Sequence, residues 1–112
     1  MEVILVKDVG NVALVSLTGR MDSAGVQAAS GLFREMVIHA GRDTVLDMSG
    51  VEFMASVGMR LFIEAQKALA DTGAKLVLAG PRELVAEGLR IAGIDRMLAV
   101  AADVPAALAL FD

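Results

Sequence analysis

The chain contains no cysteine, no tryptophan and no tyrosine, and its one histidine is His39. Without cysteine there are no disulfides, no thiol nucleophiles and none of the usual soft-metal sites. With phenylalanine as the only aromatic type, a stacking platform for nucleic-acid bases is not expected. A surplus of positive charge is missing as well. The formal net charge is -4 and no basic cluster with aromatic neighbours occurs, which argues against a general nucleic-acid binder.

Long apolar runs are also lacking. Hydrophobic residues make up 56% of the sequence, yet Arg34, Arg42, Arg60, Glu64 and Lys67 interrupt every stretch that approaches membrane-spanning length. Glu2, Lys7 and Asp8 near the start leave no basic region leading into an apolar one, so no signal peptide is expected. These features favour a cytoplasmic protein that does not engage a membrane. The 112 residues suit a single domain, 1–112, large enough for one core without covalent staples.

Two short runs, "EVILVKD" (2–8) and "NVALVSLTG" (11–19), are rich in Val, Ile and Leu, and the turn between them predicts a hairpin. From Asp22 the period changes. Val26, Ala29, Phe33, Met36, Val37 and Ala40 recur at spacings of three and four, the mark of one buried helix face. Asp22 or Ser23 is its expected N-cap. Gly25 and Gly31 weaken that helix by about 1 kcal/mol each relative to alanine.

"TVLDM" (44–48) predicts a strand broken by Ser49-Gly50, and a helix follows over about 57–71 with Val57, Leu61, Ala65, Ala68 and Leu69 inward. On its outer face Arg60–Glu64 and Lys67–Asp71 are spaced to pair. "AKLVLAG" (74–80) is a continuous apolar strand. Pro81 opens a third helix at its first turn, with Leu84, Val85, Leu89 and Ile91 as its apolar residues. "MLAV" (97–100) reads as a last strand and "DVPAALALF" (103–111) as an Asp-capped terminal helix. The order β-β-α-β-α-β-α-β-α predicts an α/β fold: a mostly parallel mixed sheet with an antiparallel N-terminal hairpin at its edge.

Little catalytic equipment is visible. "LAGPREL" (78–84) follows a strand but is neither a Walker nor a dinucleotide loop, and no serine sits in GxSxG. His39 near a helix C-terminus suits the helix dipole. Asp22, Asp43 and Asp47 read as caps and turn residues rather than metal ligands. No cofactor and no enzymatic activity are expected.

Ser56 stands apart. Its type and place fit an N-cap, yet a helix N-terminus also tolerates an added phosphate. Gly58 in the same turn leaves room for another protein to approach. Met59 and Ile63 lie on the side of Ser56, either as an adaptable docking patch or packed beneath a neighbouring element.

Three segments carry a resemblance: "LTGRMDS" (17–23), "VLDMSGVEFMASVGMRLF" (45–62) and "LVLAGPRELVAEGLRIAGIDRML" (76–98). With the element order, they make nearly the whole chain resemble a STAS domain, the fold of bacterial anti-sigma factor antagonists and of sulfate-transporter cytoplasmic domains. The resemblance implies a partner-switching regulator. The unmodified domain would bind an anti-sigma factor that is a serine kinase of the histidine-kinase-like ATPase fold. Phosphorylation at Ser56 would release it, and a phosphoserine phosphatase would reset it. Asp22 matches an aspartate near the phosphorylation loop, Ser56 the phosphorylated serine and Gly58 the motif glycine. Ala55 stands where the family has aspartate, and Val57 where it has a small or hydroxyl residue. The implied partner surface comprises Asp22, Ala55, Ser56, Val57, Gly58, Met59 and Ile63. An alternative is a non-phosphorylated STAS scaffold subunit that binds a transporter ATPase or larger complex. Nucleotide sensing by the domain itself is implied only by other STAS proteins.

Overall fold

In the computed structural model, which describes residues 1–111, two layers of helix enclose one five-stranded sheet. Strands β1 (Glu2–Val9) and β2 (Val12–Met21) form the antiparallel hairpin, turning at Gly10 with φ of 60°. Strands β3 (Thr44–Met54), β4 (Leu76–Ala79) and β5 (Ala99–Ala101) continue in parallel, in the order β1-β2-β3-β4-β5. The mixed sheet and its antiparallel edge agree with the sequence pattern.

Both faces of β2 and β4 are covered, which explains why these strands read as almost continuously apolar. Ala13, Val15 and Leu17 of β2 point into the main core, against helices α1 (Ser23–Phe33), α2 (Ser56–Asp71) and α3 (Glu83–Ile91). Val12 and Leu14 point the other way, to a smaller cluster closed by Ala107 of α4 (Val104–Ala109). Asp103 caps α4 by accepting from the Ala106 amide at 2.9 Å.

Several details differ from the sequence pattern. Strand β3 does not stop at Ser49-Gly50; it runs to Met54. Gly50 is what permits this, because a Cβ there would meet Thr18 Cγ2 at 2.6 Å and the Leu17 carbonyl oxygen at 3.2 Å. Beyond Asp47 strand β4 has no partner residues on β3, so residues 50–54 pair only with β2. A two-stranded ribbon thus projects past the body of the sheet and carries the start of α2.

Helix α1 passes at Arg34 into a π-helical segment, Arg34–His39, which keeps Phe33 and Val37 buried while Ala40 and His39 are exposed. Pro81 precedes α3 rather than entering its first turn, because Arg82 is the N-cap. Of the apolar residues of α3 only Val85 and Leu89 are buried; Leu84 is 82% and Ile91 73% exposed. Strand β5 begins two residues later than "MLAV" suggested, after a 3₁₀ turn at Ile94–Arg96. In α2 the inner face is Gly58, Leu61, Phe62, Ala65 and Leu69, with Val57 and Ala68 only half-buried. Glu64 does not pair with Arg60 but crosses to Arg34, Nε to Oε2 2.8 Å. The expected Lys67–Asp71 pair is likewise not formed among the described residues.

The two glycines of α1 separate clearly. A Cβ on Gly31 would meet nothing within 4 Å, whereas one on Gly25 would collide with the backbone carbonyl oxygen of Arg20. Gly31→Ala is therefore expected to stabilise the protein by about 0.5–1 kcal/mol. Gly25→Ala is expected to destabilise it by about 1–3 kcal/mol, since backbone must move. Urea unfolding of the two variants checks the opposite signs.

Candidate functional site

The site is built where the β2–β3 ribbon ends. Met21 pairs with Met54, so the residues that follow, Asp22 and Ala55, leave the sheet side by side. The Ala55 amide donates to the Met21 carbonyl at 3.0 Å, latching the turn into α2 onto the end of β2. Ala55 is the N-cap of α2, with extended backbone (φ -99°, ψ 173°), and Ser56 is the first helical residue. The capping role expected of Ser56 is thus displaced by one position, onto a side chain that has no acceptor. The amides of Gly58 and Met59 are met by the Ala55 backbone carbonyl, at 3.0 and 3.3 Å.

Ser56 is exposed, and among the described residues its hydroxyl has no hydrogen-bond partner in the chain. It stands at the positive end of a 16-residue helix, where a helix dipole favours an anion. Arg60, one turn on, is exposed and forms no ion pair among the described residues.

Gly58 is not the open approach that its sequence position suggested. It is buried, and a Cβ there would lie 3.1 Å from Met21 Cβ and 3.3 Å from Met21 Cε. The neighbour that comes close is this chain's own β2. Met59 and Ile63 are half-buried and pack against the main core. Each still shows part of its surface. Val57 is half-buried and lines a shallow recess with Val26, Arg34, Arg60, Leu61 and Glu64.

Asp22 caps α1. Its Oδ1 accepts from the Gly25 amide at 2.8 Å, and Oδ2 lies 3.3 Å from Arg20 Nε. The Gly25 amide holds this carboxyl below its ordinary value of 3.8, with Arg20 adding to the effect against an opposing contribution from desolvation. The stability this cap contributes is present at pH above the ordinary value and is lost as pH falls through the lowered one. Because the group is exposed, that contribution is modest. Asp43 and Asp47 are likewise spent on backbone amides, those of Lys75 at 2.8 Å and Ser49 at 3.1 Å.

Three residues that sequence reasoning did not single out complete the surface. The Arg20 guanidinium lies 4.5 Å over the Phe53 ring, a cation–π contact that props Phe53 at 41% exposure. Beside it a groove of about 220 Å³ runs between Phe53, Met54 and Met59 on one side and Leu84, Val85 and Gly88 on the other. Arg82 anchors the start of α3 there by donating from Nε to the Ser49 carbonyl at 2.9 Å. Arg20 and Phe53 lie within the motif-bearing segments, but only the pairing of β2 with β3 shows that they meet.

The missing acceptor at Ala55 has a measurable consequence. Ala55→Asp places a carboxylate at an N-cap with suitable backbone geometry, and is expected to stabilise the protein by about 0.5–2 kcal/mol. A higher thermal midpoint for that variant, with no comparable gain for Ala55→Gly, is the expected result.

A family model described as "Mlab, STAS domain" matches residues 4–100. The chain belongs to the STAS domain family. The STAS fold extends to solved structures. A Thermotoga maritima protein superposes with a TM-score of 0.85 at 18% identity, covering 93% of this chain and 90% of that one. An anti-sigma factor antagonist from Mycobacterium paratuberculosis gives 0.80 at 25% identity, over 97% of this chain and 92% of its own. RsbS of Moorella thermoacetica, in a variant with glutamate in place of a serine, gives 0.71 at 24% identity, over 97% and 92%. No curated protein matches this STAS domain. Among the described residues no helix is long and apolar enough to cross a membrane.

Proposed function

We propose that this STAS domain is a cytoplasmic anti-sigma factor antagonist that acts by binding and performs no catalysis itself. In its unmodified form it binds an anti-sigma factor that is also a serine kinase of the histidine-kinase-like ATPase fold. That kinase phosphorylates Ser56 and lets the domain go, and a phosphoserine phosphatase resets the cycle. The observation that carries this reading is the hydroxyl of Ser56: exposed, unused as a cap, and at the positive end of α2. The likeness to the Mycobacterium paratuberculosis antagonist supports it. Asp22, Ala55, Ser56, Val57, Met59 and Ile63 form the contact surface, and Gly58 lets α2 sit against Met21 beneath it.

The test is incubation of the purified chain with a candidate anti-sigma kinase and ATP, followed by intact mass. One added phosphate on the wild-type chain and none on Ser56→Ala is the expected outcome. A wild-type chain that neither gains phosphate nor binds the kinase overturns the reading.

One observation favours a second reading. The carboxylate that the family places just before the serine is absent, because Ala55 occupies the N-cap. A STAS scaffold subunit that holds a transporter ATPase needs no such group and no phosphate. Recovery of a transporter ATPase rather than a kinase on the immobilised domain selects it.

A further inference from the structure

Strand β1 is one of the two edges of the sheet, and it carries an exposed apolar run. Ile4, Leu5 and Val6 are 48%, 45% and 51% exposed in one continuous run. Unpaired edges of this kind invite another strand. The pairing of β1 with β2 tells which residues share a face. Glu2, Ile4 and Lys7 stand opposite Thr18, Ser16 and Leu14, while Val3, Leu5 and Asp8 stand opposite Leu17, Val15 and Ala13. The register shifts between Leu5 and Lys7, so Val6 is an extra residue that resets the alternation. Glu2 and Lys7, five apart in sequence, therefore lie on one face, symmetrically placed about Ile4.

From this placement we propose that β1 is a homodimer edge, taking the β1 strand of a second copy of this chain in antiparallel register about a two-fold axis through Ile4. That axis sets Ile4 against Ile4, Val3 against Leu5, and Glu2 against Lys7 at both ends. Two-fold pairing normal to a sheet requires opposed residues to share a face, and without the bulge Glu2 and Lys7 could not meet. Moving the axis to Leu5 would set Val3 against Asp8 and Ile4 against Lys7, so charge complementarity selects one register. The occupant is a second copy because the strand is complementary to itself. A single strand pair lies below the standard interface area, so the expected dimer is a weak, concentration-dependent one. This inference does not rest on the role of Ser56.

Sedimentation equilibrium of the full chain, from micromolar to millimolar concentration, tests it. The apparent mass is expected to rise from 11.7 kDa towards twice that value. Glu2→Lys and Lys7→Glu each create two like-charge pairs and are expected to weaken the dimer by about tenfold or more. The chain carrying both reversals is expected to dimerise as the wild type does, and circular dichroism should show all three variants folded. A monomer at every concentration overturns the proposal, including one whose edge instead takes up a different protein. So does a dimer indifferent to the single reversals, or one the double reversal does not restore.

Discussion

Ser56→Asp is expected to weaken binding to the proposed anti-sigma kinase by about 100-fold, while Ser56→Ala binds as tightly as the unmodified chain. The cause is desolvation. On either side of Ser56 along the chain, Met54, Val57 and Met59 are half-buried and the Phe53 ring is exposed. A partner covering these groups removes water from the serine. A hydroxyl tolerates that at small cost, whereas stripping water from a carboxylate against an apolar partner surface costs several kcal/mol, and 100-fold corresponds to about 2.7 kcal/mol. A phosphate carries roughly -1.5 to -2 charges at neutral pH and acts more strongly still.

The same substitution is not expected to harm the fold, and this separates a charge veto from unfolding. Position 56 is the first of α2, where an acidic side chain is favoured by roughly 0.3–1 kcal/mol. Arg60 lies four residues on, and such a pair adds about 0.2–0.5 kcal/mol. Ser56→Asp should thus melt at or slightly above the wild-type temperature while losing its partner. Titration calorimetry of wild type, Ser56→Asp and Ser56→Ala against the kinase, beside thermal melts of each, reads both effects. An aspartate variant that binds as the wild type does removes the charge switch.

How far these features could be read from sequence depended on whether their cause was local. The alternation of strand and helix was legible because the apolar period changes at Asp22 and again near Ser56, and because Asp22 and Asp103 are caps that act on amides three residues away. Strand β3 was cut short because Ser49-Gly50 has the composition of a turn. What holds Gly50 in the strand is Thr18, some thirty residues earlier, and no local rule records that proximity. Glu64 illustrates the same limit: Arg60 is one turn away on the same helix, but Arg34 of the facing segment takes the carboxylate.

The site divides in the same manner. Ser56 was placed at the junction of strand and helix from its neighbours alone, and the structure moves it by a single position. That shift matters, because it transfers the cap to Ala55 and frees the hydroxyl. Gly58 was legible as special but not for the right reason, since Met21 belongs to another strand. The groove between Phe53 and Leu84 was invisible, because Leu84 counted as one more core leucine of α3. An apolar residue on the wrong side of a short helix cannot be told from a core residue until the helix is docked.

Phe62 provides the counterpart in the core, and Phe62→Ala is expected to cost about 3–5 kcal/mol. The inner face of α2 drawn from sequence ran through Val57 and Leu61, one residue to the side, and left Phe62 out. In the structure it has no exposed surface, and its ring lies 6.2 Å from that of Phe33 at an angle of 35°. The contact joins α1 to α2 above the sheet, and it therefore also fixes where the first turn of α2 sits. Set against a total stability of about 5–15 kcal/mol for a domain, such a loss lowers the midpoint by roughly 12 °C or more. Leu84→Ala is the control: Leu84 is as apolar but 82% exposed, and its truncation should stay within about 0.5 kcal/mol. Because the two rings are packed neighbours, Phe33→Ala and Phe62→Ala together should cost less than their sum. Additive losses in that double-mutant cycle, followed by urea unfolding, would mean that the two helices are anchored independently. In that case the orientation of α2, and with it of Ser56, rests on the remaining contacts: the Ala55–Met21 latch, Gly58 against Met21, the Arg34–Glu64 pair and the buried Leu61, Ala65 and Leu69.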